Sequence, residues 1–344
     1  MVKGNQNDEK KILVKAVIRG IAFLTALFVS VWSSAVSHAE DNVESLGYGI
    51  IEYTDENGNI IREYNSSRVT GTYSRGLKNN EWVKEMLLVM GMRSEIVDNL
   101  SNSVLSTYAG EGRMYSIETR YQVNEDCDSD LNQSTSMTPR TPGQNFGGQY
   151  VDDHIIVQHY AWVSEDGDTI RHSTTATWTT MPTYRYTDSL GSCTQECSVR
   201  PETFEGYYAY EEITTIGSTI TRKDIKVDFV GLDSSGQYTD ETDFERVDKG
   251  TFSGIGVTFP LPQKFQDEFG TNVYDAEDFY VYFTYEASPI DIPVGEELNV
   301  YVTYCHTLLQ VSASGSLSIN GDCSITPSFA ISKQKKPILL VITL

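Results

Sequence analysis

From residue 154 to its C-terminus the chain repeats one pattern: short runs rich in Tyr, Thr, Val, Ile and Phe, broken by clusters of Gly, Pro and Asp. The runs fall at 154–163, 169–179, 203–213, 215–221, 224–231, 251–259, 278–286 and 297–311, and the last eight residues read as a closing strand. β-branched and aromatic side chains suit a pleated, half-buried surface, and Gly, Pro and Asp supply the turns. Parallel strands need crossovers, usually helical, yet no 3.6-residue apolar period lies between these runs. The expectation is a mainly β protein whose body, 151–344, is an antiparallel, sandwich-like domain.

Residues 311–332 carry the strictest pattern. Apolar or small side chains hold the odd positions and Ser, Thr, Asn or Asp nearly all the even ones, through a turn at Asn320-Gly321. A two-residue loop would set Ile319 opposite Asp322 and mix the faces, so parity demands an odd loop of three or five residues. The pattern predicts a hairpin of 311–319 with 323–331, Leu317 opposite Ile325, and the serine face turned to solvent. Arms of about nine residues also match a membrane-crossing strand, which makes a β-pore-forming protein using hairpin 311–332 the alternative function. Ala313, Gly315 and Pro327 would offer lipid little apolar area, so a half-buried soluble hairpin is the preferred reading.

Ahead of this body, 40–124 reads as a hairpin followed by short helices. Residues 47–65 form two strands around the turn Asp55-Glu56-Asn57-Gly58. The Asp55/Asn57/Asn59 spacing resembles the start of a calcium loop, but its glycine is misplaced and no acidic residue closes it. At 79–109 Asn80 can cap a helix with Trp82, Met86, Val89 and Met90 on one face, and Gly91 stops it. Ser94 opens a second helix and Ser101 caps a third. Residues 125–150, rich in Asp, Ser, Thr, Pro, Gly and Asn, read as a linker or long loop and as the main boundary.

The first 39 residues read as a secretory signal peptide. Lys3, Lys10, Lys11, Lys15 and Arg19 precede an apolar run from Gly20 to Trp32, and Ser37-His38-Ala39 supplies small residues for cleavage before Glu40. The alternative is a retained anchor, since Gly20 to Val36 is uncharged and just long enough to span a bilayer. Cleavage would remove five of 26 basic and two of 48 acidic residues, leaving 21 and 46. Such a field repels phosphate backbones and anionic headgroups, which excludes nucleic acid and disfavours membrane contact.

Five cysteines follow the signal segment: Cys127, Cys193, Cys197, Cys305 and Cys323. Cys193 and Cys197 are spaced to form a disulfide across a turn; zinc lacks a second ligand pair, with His306 beside Cys305 the lone neighbour. His154 and His172 lie on two arms of one expected hairpin, whereas His154 and His159 fall on opposite faces of one strand. No Gly-x-Ser-x-Gly elbow is present, and carboxylate pairs such as Glu211-Glu212 and Asp240-Glu241 arise by chance in so acidic a chain. No catalytic, cofactor or metal residue is assigned.

Two segments, Trp178 to Asp188 (WTTMPTYRYTD) and the helical run around Leu88, Gly91, Met92, Leu100, Ser101 and Leu105, resemble stretches of β-rich secreted proteins of Gram-positive bacteria whose function is unknown. The resemblance implies export and no chemistry. In the first segment Pro182 must end or edge a strand, and Arg185 and Asp188 are spaced to pair across the following turn. The expected function is a secreted or surface-associated, non-enzymatic binding protein with an extracellular ligand or protein partner. An exported hydrolase is the third reading.

Overall fold

The computed structural model describes residues 44–69, 80–122, 138–139, 155–182, 185, 187–229, 244–249, 251–267, 272–310, 317–319, 325–327, 330–334 and 338–344. Apart from Glu44 they belong to one compact unit, Ser45–Leu344. The elements begin with β1 (Glu44–Gly47), β2 (Ile50–Thr54), β3 (Ile60–Asn65), a 3-10 turn (Ser66–Arg68), α1 (Asn80–Val89), α2 (Ser94–Asp98) and α3 (Asn102–Ala109). Then come β4 (Gly112–Gln122), β5 (Thr138–Pro139), β6 (Ile155–Ser164), β7 (Ile170–Trp178), β8 (Thr187–Gln195), β9 (Cys197–Ile216) and β10 (Thr219–Asp228). The remainder are β11 (Phe244–Lys249), β12 (Phe252–Pro260), β13 (Phe265–Gln266), β14 (Asn272–Pro289), β15 (Glu297–Gln310), β16 (Leu317–Ile319), β17 (Ile325–Pro327), β18 (Ala330–Gln334) and β19 (Ile338–Thr343).

The protein is mainly β, and its strands pair antiparallel. The larger sheet runs β1-β2-β3-β4-β6-β7-β14-β9-β10, with β5 on β4 and β13 on β14. The smaller runs β11-β12-β8-β15-β18, with β19 also on β15, and β16 and β17 form a two-stranded ribbon. Side-chain alternation explains the layering. On β6, Ile155, Val157, Ala161 and Val163 face the second sheet, packing with Ile255, Val257, Val300, Val302 and Leu340. Tyr160 and Trp162, on the other face of β6, pack with Met86, Leu87, Ile96, Leu105 and Tyr108 of the helices. The order is helices, large sheet, small sheet, with two cores, one on each face of the large sheet.

The helical segment follows its sequence signals. Ser101 Oγ accepts the Val104 N–H at 3.2 Å as the α3 cap, and Gly91 ends the α1 turn at φ +90°. Around the first turn Asp55 Oδ1 accepts the N–H groups of Asn57 and Asn59 at 2.9 and 2.8 Å, so the Asp55/Asn57/Asn59 spacing builds a hairpin turn.

Three expectations are corrected. The boundary at 125–150 does not divide two folding units: β4 and β6, on either side of it, pair from Gly112↔Ser164 to Tyr121↔Ile155. The ribbon keeps the expected parity but not the expected register, with Leu317 opposite Pro327 and Ile319 opposite Ile325, which leaves a five-residue loop. Its outgoing arm is also divided, since β18 pairs with β15, Leu309 opposite Ile331. Finally, Arg185 ion-pairs with Asp275 at 2.6 Å and donates to the Pro182 and Pro262 carbonyls, while Asp188 accepts the Tyr304 hydroxyl. Asp188 faces into the sandwich on β8, so Arg185 finds its carboxylate on β14 instead.

Candidate functional site

Between the two sheets lies a buried polar cluster. The β6–β7 turn sets Ala161 opposite His172 and His159 opposite Thr174, which makes the two histidines diagonal neighbours on the inner face. The hydrogen bonds form one directed chain. Thr194 Oγ1 donates to His172 Nε2 at 3.0 Å, His172 Nδ1 to His159 Nε2 at 3.2 Å, and His159 Nδ1 to Thr174 Oγ1 at 2.8 Å. Thr174 then donates to Ser192 Oγ at 3.1 Å, and Tyr285 donates to the Ser192 carbonyl at 3.0 Å. Because the Thr174 hydroxyl proton goes to Ser192, His159 Nδ1 carries the proton it donates, and with burial keeping both imidazoles neutral the remaining directions follow along the chain. Burial holds both below the ordinary imidazole range: His159 well below, with the neighbouring His172 adding to the effect, and His172 down to about 3. The cluster is wholly enclosed, so it joins the sheets rather than meeting a substrate.

His154 lies outside the described residues. The turn sets Ser164 against Thr169, and within the described residues His172 has His159 as its histidine partner. Cys193 and Cys197 are buried thiols with no bridge joining them. Cys193 belongs to β8 and Cys197 opens β9 in the other sheet, with Glu196 turning the chain at φ 53°, and burial pushes the Cys197 thiol up to about 12. Cys127, Cys323, Asp240 and Glu241 lie outside the described residues. Glu211 and Glu212 pair with successive residues of β10, Asp224 and Lys223, so they point to opposite faces and make no carboxylate dyad.

A cleft open to solvent lies at one end of the large sheet. There the β6–β7 turn meets the loop after β14, enclosing a cleft of about 540 Å³ whose lining includes Asp166, Asp168, Arg200, Asp291, Ile292 and Val294. Its walls are built by unusual backbone: Gly167 has φ +74° and Asp291, a non-glycine, φ 55°. A Cβ on Gly167 would meet Val294 Cγ2 at 3.0 Å, so the two loops approach closely only with glycine there. Ile290 and Val294 are more than half exposed. The Ser164 hydroxyl and the Asp168 N–H hold the Asp166 carboxyl below the usual carboxylate range.

Behind the cleft, one row crosses four strands: Arg200 opposite Glu286, Glu286 opposite Arg171, Arg171 opposite Trp162. Glu286 binds Arg171 at 2.6 Å and Arg200 at 3.4 Å. Arg200 also donates to Ser288, so the one cation of the cleft is already matched by Glu286 and a hydroxyl. Sequence reasoning passed over this row because its members are up to 124 residues apart and only the strand register aligns them. The available signal was Arg171, a guanidinium inside a run otherwise reading as a buried strand.

No protein family profile matches the chain, and no curated protein matches it either. Among solved structures, one described as AvmM, which catalyses macrocyclization in alchivemycin A biosynthesis, is similar at 12% identity over 56% of this chain and 89% of that one, with a TM-score of 0.25. A likeness at that score carries no argument about activity.

Proposed function

We propose that this is a secreted or surface-associated binding protein whose end-of-sheet cleft takes a basic, amphipathic peptide segment. The observation that carries the reading is the cleft's composition: three carboxylates, Asp166, Asp168 and Asp291, beside the apolar surface of Ile292 and Val294. Arg200 does not oppose a cationic ligand, because Glu286 faces it. Loops gathered at one end of a β-sandwich are where such scaffolds place recognition, since the sheets fix the loops while leaving their side chains variable. A formal net charge of −22 steers cationic partners toward the whole molecule, and the cleft would select among them.

The test is calorimetric titration with a short alternating Lys/Leu peptide and its Glu/Leu counterpart. The Lys/Leu peptide should bind and the Glu/Leu peptide should not. Converting Asp166, Asp168 and Asp291 together to Asn should weaken binding at least tenfold, a loss of roughly 1.4 kcal/mol or more. Equal affinity of the triple variant and the wild type would reject the cleft as the site.

A further inference from the structure

The large sheet ends in an uncovered strand. β10 pairs with β9 in unbroken register from Thr219↔Ile216 to Asp228↔Tyr207, and no second strand pairs with it among the described residues. Nine of its ten residues are exposed, Ile220 and Val227 among them. The strand is nevertheless anchored. Phe229, just beyond it, is buried beside Phe204 and Tyr208 and donates its N–H to the Gly206 carbonyl at 2.9 Å. A long, fixed strand with an open row of N–H and C=O groups is a template for another strand. Proteins guard such edges with proline, a bulge or repelling charge, whereas β10 has no proline, no bulge and charges of both signs.

Those signs alternate along one face: Arg222, Asp224, Lys226 and Asp228 read plus, minus, plus, minus. Arg222 ion-pairs with Glu211 and, at 3.4 Å, with Glu277. Asp224 sits opposite Glu211 and makes no ion pair among the described residues. An alternating series is its own complement when a second copy runs antiparallel about a two-fold axis at Ile225. Arg222 then opposes Asp228 of the second copy, and Asp224 opposes its Lys226, each contact occurring twice. On the other face Ile225 meets its own counterpart. Axes at Lys223, Asp224 or Lys226 would instead set a charge against itself. We propose that β10 is a homodimer edge, paired over residues 222–228 about Ile225, which joins the large sheets of two copies. A net charge of −22 makes copies repel at long range, so this local match selects the one contact over indiscriminate association.

Analytical ultracentrifugation of the purified protein over a concentration series tests this. The wild type should show a monomer–dimer equilibrium. Asp224→Lys sets like charges opposite one another twice and should weaken dimerisation at least tenfold. Asp224→Lys combined with Lys226→Asp restores opposite charges across the axis and should recover the wild-type dimer. Both positions are exposed, so circular dichroism should show the same fold in all three proteins. A wild type that stays monomeric to its solubility limit would overturn the proposal and leave the edge to some other strand. A dimer indifferent to Asp224→Lys, or a double variant that fails to dimerise, would overturn it equally.

Discussion

His159 and His172 are held neutral between the sheets by burial, within a chain of hydrogen bonds to Thr194 and Thr174. Unfolded, each histidine titrates near its ordinary value of about 6.5. Folded, both take up protons only at lower pH, His172 at about 3. Above the unfolded value both states are neutral and the pair is indifferent to pH. As pH falls below it, the unfolded chain binds protons that the folded protein refuses, and stability declines until the folded values are reached. The slope is about 1.4 kcal/mol per pH unit for each histidine. Urea denaturation at pH 7.5, 6.5, 5.5 and 5.0 should show this loss while most carboxylates remain ionised. His172→Gln, which keeps an amide in the chain, should flatten the decline; a wild-type stability constant from pH 7.5 to 5.0 would contradict the account. Residue types alone did not identify this pair, since its geometry depends on a register fixed only once Ser164 is set against Thr169.

At the scale of elements, capping chemistry makes the helices readable in the sequence. Ser101 shows why: its hydroxyl caps α3 and also donates to Glu205 at 2.9 Å. Ser101→Ala should cost about 1 kcal/mol. Gly91 should be costlier to replace, because its φ of +90° suits no L side chain and an added Cβ would lie 2.4 Å from Arg62 Nη1. Arg62 would have to move the Nη1 that pairs with Glu118 at 3.4 Å, so Gly91→Ala should cost roughly 1–2 kcal/mol from backbone strain plus the disturbed ion pair. Equilibrium denaturation of both variants checks the magnitudes and their order; a neutral Gly91→Ala would show that the turn relaxes. β8 illustrates what stays hidden. Its sequence, TDSLGSCTQ, is small and polar enough to read as a turn, yet it is a buried strand between β12 and β15. The neighbouring strand comes so close that β12 carries glycine there: a Cβ on Gly254 would stand 2.6 Å from that of Cys193. A strand covered on both faces loses the polar–apolar alternation that reveals one on a surface.

Across the whole molecule, the large sheet is the middle layer and belongs to both ends of the chain. β1, β2, β3 and β4 come from the first part; β6, β7, β14, β9 and β10 come from the rest, and they meet at the β4–β6 pair. Neither part can satisfy itself. Without the first part, β6 becomes an open edge whose backbone groups face water, and Tyr160, Trp162, Tyr207 and Tyr282 lose the helices that cover them. Without the second part, α1 to α3 have only β1 to β4 beneath their apolar faces, too little surface to offset the entropy of ordering them. The composition of 125–150 marks a change of sequence character, but a boundary between folding units depends on where contacts cross, and long-range pairing is invisible to composition. Production of 40–124 and 151–344 as separate polypeptides tests this directly. Each alone should lack a cooperative thermal transition, whereas the two expressed together should co-purify and melt in a single transition. Two fragments that fold and melt independently would show that the sheet is two sheets placed edge to edge, and that the boundary read from composition is the real one.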